Sequence, residues 1–182
     1  MKVIILGPPG TGKDVQANKL AFRYKIPAVS IGKILRKEVR LKSKEGKILS
    51  KYLRSGDLAP DTLVNKVLQK RLKKTYNNKR GFILNGFPRS ISQINQVKNI
   101  GVVIYLNTSK KELVRRLHKR HRSDDKRKLV NHRIKVYKKW TEPVLNYYKK
   151  KKLVIIVDGN NSINNVHKEI IKKLNLYNEK NG

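Results

Sequence analysis

The sequence predicts a three-layer α/β/α fold built on a five-stranded parallel sheet. Five short runs are almost continuously apolar and rich in β-branched residues, as expected of strands covered on both faces. Segments with helical periodicity separate them, and this alternation is typical of a parallel sheet. A chain of 182 residues is long enough for one such domain with its own core. The predicted strands are Lys2–Leu6, Ala28–Ser30, Gly81–Leu84, Val102–Leu106 and Leu153–Val157.

The helices are predicted from apolar residues that recur every three or four positions. Asp61 and Ser109 stand just before two such stripes, where an N-cap side chain is expected. The lysine-rich stretch from Lys33 to Arg54 has no strand pattern, and we expect a small helical insertion there. The two stripes consist of Leu63, Val64, Val67, Leu68 and Leu72, and of Leu113, Val114 and Leu117.

Charge is the most unusual bulk property, with 45 Lys and Arg against 12 Asp and Glu and a formal net charge of +33. The lysines are spread along the chain and are not interleaved with aromatic residues. We therefore interpret them as a solvated surface and expect no dedicated nucleic-acid site. Any contact with RNA through this basic surface would be nonspecific and electrostatic.

Cysteine usage and hydropathy exclude several other classes. The chain has no cysteine, which excludes disulfides and thiolate metal sites. It has no apolar run of about 18 residues, so no membrane span is expected. The apolar stretch at the N-terminus is soon broken by Gly7 and Pro8, which does not fit a signal peptide. A cytoplasmic location is expected.

The clearest motif is a glycine-rich turn that directly follows the first predicted strand. Residues Gly7–Lys13 read GPPGTGK, which has the spacing of a phosphate-binding loop. Glycines let successive backbone N–H groups converge on phosphate oxygens, and the helix beginning near Asp14 adds the positive end of its dipole. Asp14 and Val15 stand where a Ser or Thr usually follows the lysine. The loop predicts binding of nucleotide phosphates.

Eight segments, in order, resemble the adenylate kinase family and cover nearly the whole chain. The resemblance implies a P-loop NTPase core at 1–29 and 60–182, a small helical insertion at 30–59 that binds the nucleoside monophosphate, and a lid reduced to a turn at 120–123. It implies reversible phosphoryl transfer from Mg-ATP to AMP, giving two ADP, in a monomer. The segments are GPPGTGK, SIGKILR, SGDLAPDTLV, NGFPRSISQ, RLHKR, RSDD, PVLNYY and VDGNNSINNV.

The resemblance implies a catalytic group made of cations. Phosphoryl transfer needs positioning and neutralisation of negative charge more than covalent chemistry, and the planar fork of arginine grips phosphates at a fixed geometry. The implied catalytic residues are Lys13, Arg89, Arg120, Arg122 and Arg133.

The resemblance also implies where ATP binds. The nucleotide would lie along the phosphate loop, with Arg116 stacked on its adenine and the backbone near Gly159–Asn161 against the base edge. The implied ATP-binding residues are Gly10, Thr11, Gly12, Lys13, Asp14, Val15, Arg116, Arg120 and Asn161.

The acceptor AMP would lie on the other side, with Arg36 on its phosphate and Gln93 on its base. An amide offers both a donor and an acceptor, as an adenine edge requires; the alternative for Gln93 is an exposed polar helix residue. Family members that use pyrimidine monophosphates tend to carry another residue there. The implied AMP-binding residues are Ile31, Arg36, Asp57, Leu58, Ala59, Gly86, Phe87, Pro88, Arg89, Gln93, Arg122 and Arg133.

The sequence departs from the family pattern at the metal. Asn85 replaces the aspartate that holds the water shell of magnesium, and Asp14 adds a carboxylate where the family has glycine. We hypothesise that the metal-facing charge has moved from one loop to the other, with both side chains near Mg²⁺ through water. The alternative is that Asp14 only favours the helix start. No zinc is expected, because nothing completes a cluster with His118, His121 and His132.

Two further departures concern the acceptor site and the lid. Ile31 replaces the usual threonine, and the lost hydroxyl contact would loosen the preference for AMP. Lys33 replaces the usual aspartate and is expected to be solvated, the alternative being added charge near a phosphate. Only His121 stands between Arg120 and Arg122, where relatives carry a loop or a small domain that excludes water. We therefore predict measurable ATP hydrolysis without acceptor. Two alternatives stay open, a kinase for CMP, UMP or GMP, and a catalytically weak nucleotide-binding protein associated with RNA.

Overall fold

The computed structural model of the protein describes residues 1–119 and 127–181 and has the predicted α/β architecture. All five strands are parallel and lie in the order β2-β3-β1-β4-β5, so that β1 occupies the centre of the sheet. Their bounds are Lys2–Leu6 for β1, Ala28–Ser30 for β2, Phe82–Asn85 for β3, Val102–Asn107 for β4 and Val154–Asp158 for β5.

Three strands run one residue further than the apolar pattern predicts. Asn85, Asn107 and Asp158 are polar, but each pairs with a neighbouring strand, Asn85 opposite Ile5 and Asn107 opposite Asp158. Ladder hydrogen bonds decide where a strand ends, and a pattern based on hydrophobicity does not register them. These polar residues therefore mark the carboxyl edge of the sheet.

Helices connect the strands and cover both faces. A 3-10 helix, Ile91–Gln96, follows β3, and a π-helical segment, Tyr137–Thr141, joins α6 to α7. Eight α-helices lie in the described residues: α1 Lys13–Tyr24, α2 Ile31–Arg40, α3 Lys44–Ser55, α4 Asp61–Tyr76, α5 Lys110–Lys119, α6 Arg127–Val136, α7 Glu142–Lys150 and α8 Ile163–Asn181. In this part of the chain no helix combines the length and apolar character needed to span a bilayer.

The two faces of the sheet carry separate cores. Side chains alternate along β1, so that Ile4 and Leu6 face the cluster with α4 and α7, while Val3 and Ile5 face the cluster with α1 and α8. All four are at most 1% exposed. Burial on both faces explains why the strands appear in the sequence as uninterrupted apolar runs.

The helix starts agree with the sequence in part. Helices α2 and α3 occupy the segment predicted to be helical, and the Ser109 Oγ accepts the N–H of Glu112 over 3.3 Å at the start of α5, as expected of an N-cap. The N-cap prediction for Asp61 is wrong. Pro60 is the N-cap of α4 and Asp61 is its first residue. The Asp61 carboxylate instead accepts hydrogen bonds from the segment around the 3-10 helix.

Candidate active site

A cleft of about 650 Å³ opens at the carboxyl edge of the sheet, around the loop that follows β1. Ligands of open parallel sheets bind in this position, in the crevice outside the carboxyl ends of the strands. Sixteen of the residues predicted for the site line the cleft: Gly10, Thr11, Gly12, Lys13, Asp14, Val15, Arg36, Asp57, Leu58, Asn85, Gly86, Pro88, Arg89, Arg116, Arg133 and Asn161. Arg120 and Arg122 lie outside the described residues, as does the predicted lid at 120–123.

The side chain of Lys13 hydrogen-bonds back to the start of the phosphate loop. Lys13 Nζ donates to the carbonyl oxygens of Gly7 and Pro8, each over 2.7 Å. Gly10 has a φ of 94°, and a Cβ there would stand 2.9 Å from Leu117 Cγ on α5. Glycine is therefore required by both the left-handed backbone and the close helix. The loop has the shape of a phosphate cradle, with the ammonium group at its rim.

Asp14 lies in the first turn of α1, and its side chain places a carboxylate beside the phosphate loop. Its Oδ1 accepts hydrogen bonds from Ser30 Oγ over 2.8 Å and from Asn85 Nδ2 over 2.6 Å. Burial alone would raise the pKa of Asp14, but the Ser30 hydrogen bond and the charges of Lys33, Lys13 and Arg36 outweigh it and lower the pKa below 3.8. The carboxylate is therefore ionised at neutral pH.

The opposite wall of the cleft carries guanidinium groups. Arg89 Nε donates to the Gly86 carbonyl oxygen over 2.8 Å. A Cβ on Gly32 would lie 3.2 Å from Arg36 Nη1 and 3.5 Å from Arg89 Nη2, so both guanidinium groups reach the same glycine. Burial, then the charges of Arg133 and Arg36, lower the pKa of Arg89 to about 10. A buried guanidinium group with two further cations nearby is suited to receive an anion.

A small cavity adjoins this wall. Leu58 and Arg89 line both spaces, and the cavity is completed by Ile31, Ala59, Phe87 and Gln93 among the predicted residues. Gln93 is 3% exposed, so the alternative of an exposed polar residue is wrong. Its Oε1 accepts the backbone N–H of Arg89 over 2.8 Å.

Arg116 joins α5 to the turn between β5 and α8. Its Nε donates to Glu112 Oε1 over 2.6 Å, and its Nη2 donates to the carbonyl oxygens of Asn160 and Asn161 over 3.1 Å each. The Arg115 hydrogen bond, offset in part by burial, and then the bond from Arg116 lower the pKa of Glu112 to about 2. The guanidinium group is thus fixed beside the turn between β5 and α8.

The turn after α3 contacts α6. Asp57 Oδ1 lies 2.6 Å from His132 Nε2, and this hydrogen bond is the main reason that the pKa of Asp57 is lowered. Gly56 has a φ of 80°, and a Cβ there would lie 2.7 Å from Arg133 Cγ. This contact sets α6, and with it Arg133, against the segment that contains Asp57.

Comparisons of the sequence identify its relatives. The family model described as adenylate kinase matches residues 5–153. The adenylate kinase of Azobacteroides pseudotrichonymphae genomovar. CFP2 is 37% identical over 97% of this chain and 99% of its own length. The adenylate kinase of Trichodesmium erythraeum is 36% identical over 91% of this chain and 93% of its own length. That of Caldanaerobacter subterraneus subsp. tengcongensis is 33% identical over 96% of this chain and 96% of its own length. The chain belongs to the adenylate kinase family.

Membership of the adenylate kinase family makes the chain a nucleotide-binding transferase, and it confirms the resemblance carried by the eight sequence segments. It also agrees with the P-loop NTPase architecture and the five parallel strands. The cleft of this adenylate kinase family member joins a phosphate loop to an arginine wall, as a transferase for phosphoryl groups requires.

Several residues of this adenylate kinase family site are missed by sequence reasoning. Glu112 could have been found from its i,i+4 spacing to Arg116. Thr141 could not have been found, because no sequence pattern predicts the π-helical segment that carries it. Its Oγ1 donates a hydrogen bond to the Arg89 carbonyl oxygen over 3.0 Å. The sequence pattern predicts a helix cap at Asp61, whereas its carboxylate accepts a hydrogen bond from Gln93 Nε2 over 2.5 Å.

Proposed function

We propose that this chain catalyses reversible phosphoryl transfer from Mg-ATP to AMP, giving two ADP. One observation carries the proposal: the phosphate loop and the guanidinium groups of Arg36 and Arg89 line the same cleft. Two anionic nucleotides would meet between these walls. In the transfer the bond from the γ-phosphorus to its bridging oxygen breaks, and an oxygen of the AMP phosphate forms the new bond.

The loop side would hold ATP. Backbone N–H groups from Gly10 to Val15 would face the β and γ phosphates, and Lys13 Nζ would exchange its carbonyl partners for phosphate oxygens. Arg116 would stack on the adenine, and Asn161 would contact the base edge through its backbone. The support is the anchoring of Arg116 to the carbonyl oxygens of Asn160 and Asn161.

The arginine side would hold AMP. Arg36 and Arg89 would bind its phosphate, and Arg133, with the predicted Arg120 and Arg122, would neutralise charge on the transferring group. The lowered pKa of Arg89 supports this assignment, because a phosphate would offset the mutual repulsion of the cations. The adenine would lie toward the small cavity, lined by Ile31, Leu58, Ala59, Phe87 and Gln93, with Asp57, Gly86 and Pro88 between base and phosphate.

The residues at the loop fit a magnesium ion held through water. Mg²⁺ binds proteins through one or two carboxylates and keeps several water molecules. Both hydrogen bonds of Asp14 reach Oδ1, and Oδ2 accepts none from the described residues. Asp14 would therefore hold the water shell, with Asn85 fixing its orientation. When bound, the ion neutralises phosphate charge.

The proposal includes organisation and location. The core would comprise 1–29 and 60–182, the insertion 30–59 would carry the AMP side, and the lid would be the turn at 120–123. A monomer in the cytoplasm is proposed from the family resemblance alone. The close approach of Arg133 on α6 to Gly56 supports a phosphate site shared by the insertion and the core.

A coupled assay with ATP and a panel of AMP, CMP, UMP and GMP, with and without Mg²⁺, tests the proposal. ADP should form from AMP and require the metal. Lys13→Met should lower turnover about 100-fold or more, whereas Lys168→Met, which changes an exposed lysine on α8, should not. Faster turnover with another monophosphate, or none with any of them, would overturn it. Tight, salt-dependent RNA binding without transfer would favour the RNA-associated alternative.

A further inference from the structure

The carboxylate of Asp61 joins the start of α4 to the segment before and within the 3-10 helix. Oδ1 accepts a hydrogen bond from Gln93 Nε2 over 2.5 Å. Oδ2 accepts from Ser90 Oγ over 3.0 Å and also from Ser92 Oγ. On its other side, the Gln93 amide accepts the Arg89 backbone N–H at Oε1 over 2.8 Å. The amide is therefore held from both ends.

The chemistry of these partners determines which way the amide faces. An ionised carboxylate only accepts hydrogen bonds and a backbone N–H only donates, so the nitrogen of Gln93 must face Asp61 and the oxygen must face Arg89. A flipped amide would place its oxygen against the carboxylate and its nitrogen against a donor. Gln93 still has one N–H and one oxygen lone pair to offer to a ligand in the adjoining cavity.

We propose that Asp61 is a positioning residue that sets the base specificity of the acceptor site by fixing the Gln93 amide. This inference rests on the proposed function, in which Gln93 reads the acceptor base. A 6-aminopurine presents an amino donor next to a ring-nitrogen acceptor, which matches the fixed oxygen and N–H. A 6-oxopurine in the same place presents an acceptor next to a donor and requires the flipped amide.

The structure also indicates why the carboxylate and not merely a polar residue is needed at this position. Asn or Ser at position 61 can either donate or accept, so the flipped Gln93 amide would keep its hydrogen bond at position 61 and lose only the bond to the Arg89 N–H. Asp61 can only accept, and the orientation that suits a 6-oxopurine would leave two acceptors in contact and unpaired. Sites that leave buried polar groups unpaired with the wrong substrate discriminate strongly.

The experiment compares AMP with IMP, which differs at the 6-position and so reverses the donor and acceptor. In the wild type, IMP should be a poor acceptor. Asp61→Asn should lower the ratio of kcat/KM for AMP to that for IMP by about tenfold or more, with the change in the acceptor KM and with the KM for ATP unchanged. Ser92→Ala, which removes one hydrogen bond to Asp61 but leaves the bond to Gln93, should keep the wild-type ratio.

The outcomes separate this inference from the proposed function. A wild type that does not phosphorylate AMP would refute the proposed function. A wild type that does so, together with an unchanged AMP to IMP ratio in Asp61→Asn, would refute the role of Asp61 alone. If thermal unfolding shows that Asp61→Asn is not folded, Asp61→Ser is measured instead, and the same ratio decides. An equal fall in the ratio for Ser92→Ala would indicate a general structural effect and would also count against the inference.

Discussion

The side-chain amide of Asn85 donates a hydrogen bond to Oδ1 of Asp14 over 2.6 Å and joins the end of β3 to the first turn of α1. The family's carboxylate is missing at one end of this bond, and an unusual carboxylate stands at the other. The two departures from the family pattern thus lie in contact with each other. This contact supports the hypothesis that the charge has changed places within one site, and its role toward magnesium stays a prediction.

Exchanging the two side chains tests that hypothesis. Asp14→Asn should weaken magnesium binding in the nucleotide complex by about 10- to 100-fold, because the water shell loses its charged partner. Magnesium titrations of turnover and of the thermal stabilisation by ADP measure this. Asn85→Asp alone would set two carboxylates in contact, so the matched control is the double variant Asp14→Asn with Asn85→Asp, which should regain metal affinity. Unaltered affinity and turnover in Asp14→Asn would show that Asp14 only serves the helix start.

Acid should remove the stabilisation that Asp14 contributes. Its pKa is lower in the folded protein than the ordinary 3.8, so its contribution to the free energy of unfolding is complete above that value and lost as the pH falls through the folded pKa. Urea unfolding should therefore give a difference between wild type and Asp14→Asn that is constant above about pH 5 and shrinks below about pH 4. A difference that grows toward acid would contradict the sign of the shift.

Glu112 should influence ATP and not AMP. Glu112→Gln removes the charge that orients Arg116, so the KM for ATP should rise roughly three- to tenfold, a modest effect because this ion pair is only partly buried. The KM for AMP should not change. Lys111→Gln alters the exposed neighbouring residue and serves as the control. Steady-state kinetics with each substrate varied in turn provide the measurement, and an equal rise in both KM values would argue for a general disturbance of the cleft.

Gly56 should be intolerant of a side chain. Its φ is 80°, and a Cβ would lie 2.7 Å from Arg133 Cγ and 2.8 Å from Leu129 Cδ1. Gly56→Ala should therefore lower the free energy of unfolding by about 1–2 kcal/mol for the left-handed backbone alone. Gly101→Ala is the matched control, because a Cβ there would lie 3.6 Å from the Lys2 carbonyl oxygen, an ordinary contact. Urea unfolding of wild type and both variants measures these free energies. Equal losses of stability in Gly56→Ala and Gly101→Ala would refute the steric explanation.

The sequence predicts those parts of the fold whose physical requirement is local. The five strands follow from apolar runs, and the phosphate loop follows from glycines at Gly10 and Gly12 that the structure holds at positive φ. The ends of the strands at Asn85 and Asp158 are placed one residue short, because a polar residue can complete a ladder without changing the hydropathy pattern.

The relationships that the sequence does not predict are tertiary. Asp61 and Gln93 are 32 residues apart, and only the packing of α4 beside the 3-10 helix brings them together. The side chain of Thr141 reaches Arg89 through a π-helical segment that has no sequence signature. Local propensity favours an N-cap role for Asp61, but in the structure its carboxylate bonds to a distant element instead.

The central position of β1 affects how the nucleotide preferences of this enzyme can change through substitution. Gln93 follows β3 and Asn161 follows β5, and two strands lie between these in the order of the sheet. Three strand spacings amount to roughly 14 Å, beyond the range at which substitutions usually couple. Changes to the acceptor pocket and to the donor pocket should therefore combine additively in free energy. Each nucleotide preference can be altered as a separate trait, while the loop between them stays the same.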